Sequence, residues 1–401
     1  MMQTIYIFVF LFSLVFSSKG FKDLQQENEV FMSASESLEM KLVNARLEKI
    51  NKPFVKSIES PDGDIIDCVL FNLQPALDLP KLKGAILSMD PPELPKGYDN
   101  TRAESEIKQI WNSNGESCPN GTIPIRRTSA SEILKSISIS EFVKRARTKD
   151  IPPSNGHEHA IGYVIPGKVY GAKALLNVWA PNVVGNDFSN SQIWVFSDVP
   201  NYGVNTVEAG WHVIPSIYKN NAPRLFIYWT PDGYKSGCYN LLCPGFIQIS
   251  RRVSLGAAFG PVSKYNGQQY ESVFMIWKDP RSGNWWLKVG NELIGYWPQT
   301  LFTCLRDHAT TIEFGGEVYS GNSGKHTSTQ MGSGHFPGEG FGKAAFARSL
   351  EVVNEDNSLS RVSNLNLLTD KSSCYDVKKG YSDTWGNYIY FGGPGNNPNC
   401  P

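Results

Sequence analysis

Two glutamates lie where a strand would present a carboxylate on an open face. In VNTVEAGWHVIP, residues 204–215, the apolar Val207, Ala209, Trp211 and Val213 alternate with Thr206, Glu208, Gly210 and His212. A period of two sends the first set to one face and the second to the other. TIEFGGEVY, residues 311–319, behaves alike: Ile312, Phe314 and Val318 share one face, and Glu313, Gly315, Glu317 and Tyr319 share the other. Glu208 and Glu317 each have a glycine two residues away, which leaves room above the carboxylate. Paired carboxylates can hydrolyse an amide when one activates water and the other delivers a proton to the leaving nitrogen. Proximity favours that state, because like charges do not both ionise cheaply and one pKa rises. The pair would titrate as a unit, with a bell-shaped or acid-limited rate that falls toward neutral pH. Periodicity alone is thin support, since 38 acidic residues place some glutamates on strands in any case.

Other chemistries fail on spacing. GNSGKHT at 321–327 resembles a phosphate loop, but His326 follows Lys325 and the distance from Gly321 is wrong. There is no G-x-S-x-G elbow. His157-Glu158-His159 is not H-E-x-x-H; alternation puts both histidines on one strand face, and we read them as a structural or surface strand start rather than a metal site. Cys238 and Cys243 find no second zinc-spaced pair, so a small disulfide loop is the better reading. We expect no metal and no cofactor.

The elements that must position the glutamates come from the second half. After residue 157, short alternating runs such as HAIGYVI, SQIWVFSD, RLFIYWT, SVFMIWK and NYIYF are separated by glycine, proline and asparagine. This pattern predicts an all-β domain over 157–401, an antiparallel sandwich or barrel. The part before it, 21–148, is expected to be a smaller α-containing pro-domain. Its helices are predicted over 27–49 and 131–146, with Ser131 as N-cap of the second. TKDIPPSNG supplies a breaker-rich linker at 149–156.

The first 20 residues hold an apolar run from Ile5 to Phe16 followed by small residues, which reads as a signal peptide rather than a membrane span. The expected destination is the extracellular space or the cell wall, with the vacuole as alternative. A sequon at Asn120 and seven cysteines fit such a compartment. An odd cysteine count leaves at least one free thiol or an intermolecular bridge. Lys plus Arg equals Asp plus Glu at 38 each, so no concentrated positive face is available and nucleic acid is not an expected partner. No membrane partner is expected, and a monomer is the default.

VEAGWHVIP, RLFIYWTPDGYKSGCYNLLCPGFIQ, FGGEVYSG and HTSTQMGSGHFPGEGFGKAAF resemble the plant neprosin family of glutamic peptidases. The upstream DCVLFNLQPALDLPKLKGA and CPNGTIPIRRT resemble its activation peptide. The resemblance implies a sandwich of two antiparallel sheets with the cleft on one face. It implies a catalytic pair at Glu208 (E-A-G-W) and Glu317 (G-G-E-V), and metal-free cleavage on the C-terminal side of proline at acid pH. Phe314 departs from the tryptophan expected before the paired glycines, which concerns a core face. Gln192 and Trp194 look like substrate-binding residues of the cleft; the alternative is a core tryptophan beside a ladder glutamine.

With the resemblance in hand, Cys68 and Cys118 would staple the pro-segment, Cys238 and Cys243 would close a loop, and Cys374 and Cys400 would tie down the tail. Cys304 is then the odd, buried thiol. The pro-segment would inhibit its own enzyme until cleavage at Pro152-Pro153. The substrates implied are proline-containing peptides or proteins. Two rivals use the same residues differently: a non-catalytic sandwich binding cell-wall carbohydrate, and a glycosidase with paired carboxylates.

Overall fold

The computed structural model describes residues 40–82, 91–99, 108–135, 156–199, 203–321 and 325–401. The expected signal peptide and the linker prolines lie outside these residues. The chain divides into two compact units, Met1–Lys49 and Ile50–Pro401. In the first, residues 40–49 are helical.

The second unit begins with the remainder of the pro-segment. A further helix starts at residue 130, and Ser129, not Ser131, caps it: the Glu132 N–H donates to Ser129 Oγ at 3.3 Å. Between residues 54 and 126 the described residues form short strands and single 3-10 turns, with no α-helix among them. There β1 (Phe54–Glu59), β2 (Ile65–Leu70) and β4 (Thr122–Arg126) form an antiparallel sheet, in the order β1-β2-β4. The run Ile65–Leu70 and the run TIPIR are too short and too buried for an amphipathic helix; Ile66, Cys68, Val69, Ile123 and Ile125 are all enclosed. A disulfide joins Cys68 to Cys118 beneath this sheet.

The rest is a sandwich of two antiparallel sheets. The first has the order β10 (Cys238–Tyr239), β9 (Arg224–Thr230), β8 (Gly203–Val213), β7 (Phe188–Val199), β16 (Thr311–Tyr319), β5 (His157–Val164), β19 (Asn366–Thr369). The second runs β11 (Ile247–Gln248), β15 (Glu292–Trp297), β14 (Trp285–Val289), β13 (Glu271–Lys278), β6 (Gly171–Asn177), β17 (Ala345–Val353), β21 (Gly386–Gly392), β20 (Asp376–Ser382), with β18 (Leu359–Arg361) beside β17. Facing apolar sides make one core: Val207, Ala209, Trp211, Val213, Ile312, Phe314 and Val318 from the first sheet meet Ala174, Leu176, Phe274, Ile276 and Phe391 from the second. These are the apolar faces that alternation predicts for the two glutamate strands. Phe314 is fully buried among them.

The pro-segment covers the outer side of the second sheet. Ala76, Leu82, Leu94 and Tyr98 pack on Met275, Trp277, Trp286 and Tyr296. Polar ties hold the same face: Trp277 Nε1 donates to the Glu93 carbonyl at 3.0 Å, and Lys288 Nζ lies 2.6 Å from the Tyr98 hydroxyl. β3 (Lys108–Gln109) pairs with β12 (Phe259–Gly260). The outer side of the first sheet carries the two glutamates.

Candidate active site

Rows of cross-strand neighbours build the site. One row reads His159 on β5, Glu317 on β16, Asn190 on β7, His212 on β8 and Arg224 on β9. Two residues along β7, the next row reads Ile161, Gly315, Gln192, Gly210 and Phe226. The third is Tyr163, Glu313, Trp194, Glu208 and Tyr228. Glu208 and Glu317 therefore stand on the two strands flanking β7, on one face, with the Gln192 row between them. Both open into one cleft, walled by Phe188, Trp194, Phe226, Tyr228, Tyr234 and Tyr239.

The glycines beside the glutamates serve the Gln192 row. A Cβ at 210 would lie 2.0 Å from the Ser191 carbonyl oxygen, and one at 315, where φ is +146°, would lie 2.4 Å from that of Ala160. Only glycine keeps both flanks of Gln192 closed in this way.

Each carboxylate is nearly enclosed, with 4% of Glu208 and 8% of Glu317 exposed, so each needs polar partners. Glu208 Oε1 accepts from the Thr206 hydroxyl at 2.8 Å and the Tyr234 hydroxyl at 3.2 Å; Oε2 accepts from Gln192 Nε2 at 3.3 Å. Glu317 Oε1 lies 2.6 Å from His157 Nδ1 and 3.5 Å from His159 Nε2, and Oε2 accepts from Asn190 Nδ2 at 3.1 Å. Burial by itself would raise the Glu317 pKa. The hydrogen bonds and positive charge of the two histidines outweigh it and hold the carboxyl well below its usual range. Burial and the nearby Glu317 and Glu208 charges push the Tyr239 hydroxyl well up, so it stays neutral.

The structure thus brings Glu208, Glu317, Gln192 and Trp194 together in one cleft. His157 and His159, read from sequence as a structural strand start, point at Glu317 instead. Their alternation put both on one face; what the sequence could not supply was the strand beside them. Asn190 and Tyr234 were likewise unforeseen, and Thr206 was placed on the Glu208 face without a role. Disulfides join Cys238 to Cys243, beside the cleft-wall residue Tyr239, and Cys374 to Cys400. Cys304 is free, as expected, but half-exposed rather than buried. Asn120 is exposed, in the turn before β4.

Residues 185–394, a little over half of the chain, match the Neprosin family. The chain belongs to it. Residues 57–163 match the Neprosin activation peptide, a match that runs on into β5. The organisation is that of a peptidase precursor, with an activation peptide ahead of a Neprosin domain. Among solved structures the chain is similar to Scytalido-glutamic peptidase with a peptide-based transition-state analog, at 8% identity and TM-score 0.33, over 59% of this chain and 97% of that one. It is similar at 10% identity and TM-score 0.29 to SCP-B, a member of the Eqolisin family of peptidases in complex with the tripeptide Ala-Ile-His, over 59% of this chain and 96% of that one. It is similar at 9% identity and TM-score 0.20 to the Ruminococcus gnavus IT-sialidase CBM40, over 38% of this chain and 76% of that one.

Ahead of β5, the described residues of the activation peptide do not line the glutamate cleft; His157, at the end of the matched stretch, does. Arg126, Thr128 and Glu132 instead line a neighbouring cavity that shares Tyr239 with it and also holds His212 and Tyr218.

Proposed function

We propose that this chain is the zymogen of a glutamic endopeptidase that cleaves after proline at acid pH, with Glu208 and Glu317 as its catalytic pair. One observation carries the reading: the carboxylates of the E-A-G-W and G-G-E-V motifs open into a single cleft across β7. One carboxylate takes a proton from water as the water oxygen attacks the scissile carbonyl. The other donates a proton to the leaving nitrogen as the C–N bond breaks. Gln192, between them, has an amide group suited to the oxygen that gains charge in the transition state. Proline has a fixed φ and no N–H, so an aromatic wall such as that of Phe226, Tyr228 and Tyr234 recognises its shape at little ordering cost. The apolar leader, the disulfides and the exposed Asn120 sequon support a secreted enzyme.

The test is cleavage of a quenched proline-containing peptide after acid treatment. We expect Glu208→Gln and Glu317→Gln each to lose roughly a thousandfold or more in kcat, with near-UV circular dichroism unchanged. We also expect the wild-type rate to fall toward neutral pH as the acid member loses its proton. A folded, acid-treated wild type that leaves every such peptide intact refutes the reading.

A further inference from the structure

We propose that His157, His159 and Asp370 form a positioning relay on Glu317, which makes Glu317 the base that activates water and leaves Glu208 as the proton donor. The inference rests on the peptidase reading above and assigns the two roles within it.

The geometry of His159 carries the argument. Its Nδ1 lies 2.8 Å from Asp370 Oδ2, and its Nε2 lies 3.5 Å from Glu317 Oε1. The same Asp370 oxygen accepts the His159 backbone N–H at 2.7 Å, which fixes the carboxylate to the strand that carries the ring. A ring held between two carboxylates serves both only as an imidazolium, with an N–H on each side. A neutral ring would turn a lone pair toward one of them. His157 adds a second ring nitrogen on the same Glu317 oxygen, and Asn190 holds the other oxygen. Glu317 is thus clamped on both oxygens, and the rings of His157 and His159 face it. Among the described residues, the other titratable groups of the cleft are Glu208 on β8, Tyr228 on β9, Tyr234, and Tyr239 on β10, and burial raises Tyr228 and Tyr239 so that they stay neutral.

Among the groups that hold Glu208, Thr206, Tyr234 and Gln192 are neutral. A hydroxyl can donate to a carboxylate or accept from a carboxylic acid, so this pocket tolerates the protonated form that a proton donor needs. The step then balances. Glu317 takes a proton from water while the water oxygen bonds to the carbonyl carbon. The C–N bond breaks as the Glu208 proton passes to nitrogen, and exchange with solvent restores both groups.

The relay predicts where the acid limb of kcat/KM falls. That limb reports protonation of the base, so weakening the clamp must move it to higher pH. In His159→Gln we expect a shift of about one pH unit or more, and in Asp370→Asn a smaller shift in the same direction. A residue that only supports the fold would lower the rate without moving the limb. The direct readout needs no turnover: the Glu317 carboxyl is titrated by 13C NMR in glutamate-labelled Glu208→Gln protein, its signal assigned by loss in the Glu208→Gln, Glu317→Gln double variant. A low midpoint that rises with His159→Gln supports the relay, and an unmoved midpoint in a folded variant overturns it. If the wild type cleaves nothing, the peptidase reading fails while the titration still decides the relay.

Discussion

A Cβ at position 210 would lie 2.6 Å from the Cβ of Gln192. The closeness is set by backbone pairing, because Gly210 and Gln192 face each other in the β8–β7 ladder. The atoms in the way include the Ser191 carbonyl and the Gln192 Cα, which cannot move without parting the strands. We therefore predict that Gly210→Ala costs about 1–3 kcal/mol in a urea unfolding series. It should lower kcat more than the stability loss would, since the Gln192 row separates the two carboxylates. Wild-type turnover in a stable Gly210→Ala protein would show that this spacing is not critical.

Tyr234 reaches Glu208 from a strained backbone. Its φ is +64°, in the left-handed region that non-glycine residues seldom occupy, yet its ring is buried and stacks on Tyr228 at 6.1 Å between centroids. Such strain persists where the surroundings over-determine it, often at functional sites. Tyr234→Phe keeps the ring and removes one hydrogen bond to Glu208. We expect about a tenfold fall in kcat, with stability changed by no more than about 1 kcal/mol. Equal rates for the two proteins would place the Tyr234 hydroxyl outside the chemistry.

The sandwich was legible because alternation is a local signal. Val207, Ala209, Trp211 and Val213 announce their face without knowledge of any partner strand. The central pro-segment sheet was not, because β1, β2 and β4 are brief and β4 lies some 50 residues beyond β2, so no hydrophobic period marks their pairing. The site divides in the same way. Glu208 and Glu317 stand out by motif and by face. The histidines do not, because His159 meets Glu317 only through the β5–β16 pairing, and the two residues are 158 apart in the chain. Asp370, from beyond β19, is more remote still.

His212 makes the fold sensitive to acid. It is fully buried, stacks on Phe226 at 4.7 Å, and its pKa is lowered to about 3, first by burial and then by the charges of Arg224 and Arg126. The unfolded chain binds a proton at this residue near pH 6.5, where the folded protein does not. The stability is therefore complete above pH 6.5 and declines as pH falls from there toward 3, by about 1.4 kcal/mol per unit. His212→Phe should keep the stack and flatten that slope by about one proton, as read from urea midpoints between pH 7 and 4. An unchanged slope would mean that other groups carry the acid sensitivity.

Asp64 holds the pro-segment to the first sheet at the same corner. It pairs with Arg224 of β9, whose side chain is only 1% exposed, and with Arg126 of its own segment at 2.8 Å. Both guanidinium groups also lie over the Tyr218 ring, at 4.3 and 4.8 Å. Two buried cations thus share one carboxylate, supported by Glu132 on Arg126 and by Asp62 at 3.5 Å from Arg224. Removing one partner of such a pair is far costlier than its net contribution, because the remaining charge stays buried. Asp64→Asn keeps the shape and removes the charge, and we expect it to weaken this corner by about 3–5 kcal/mol. The sandwich core, which Asp64 does not enter, should be far less affected. The variant should therefore lose its pro-segment to a trace of added protease faster than wild type at neutral pH, while the 157–401 fragment survives. Equal digestion rates would show that the aromatic contacts on the second sheet hold the segment without this ion pair.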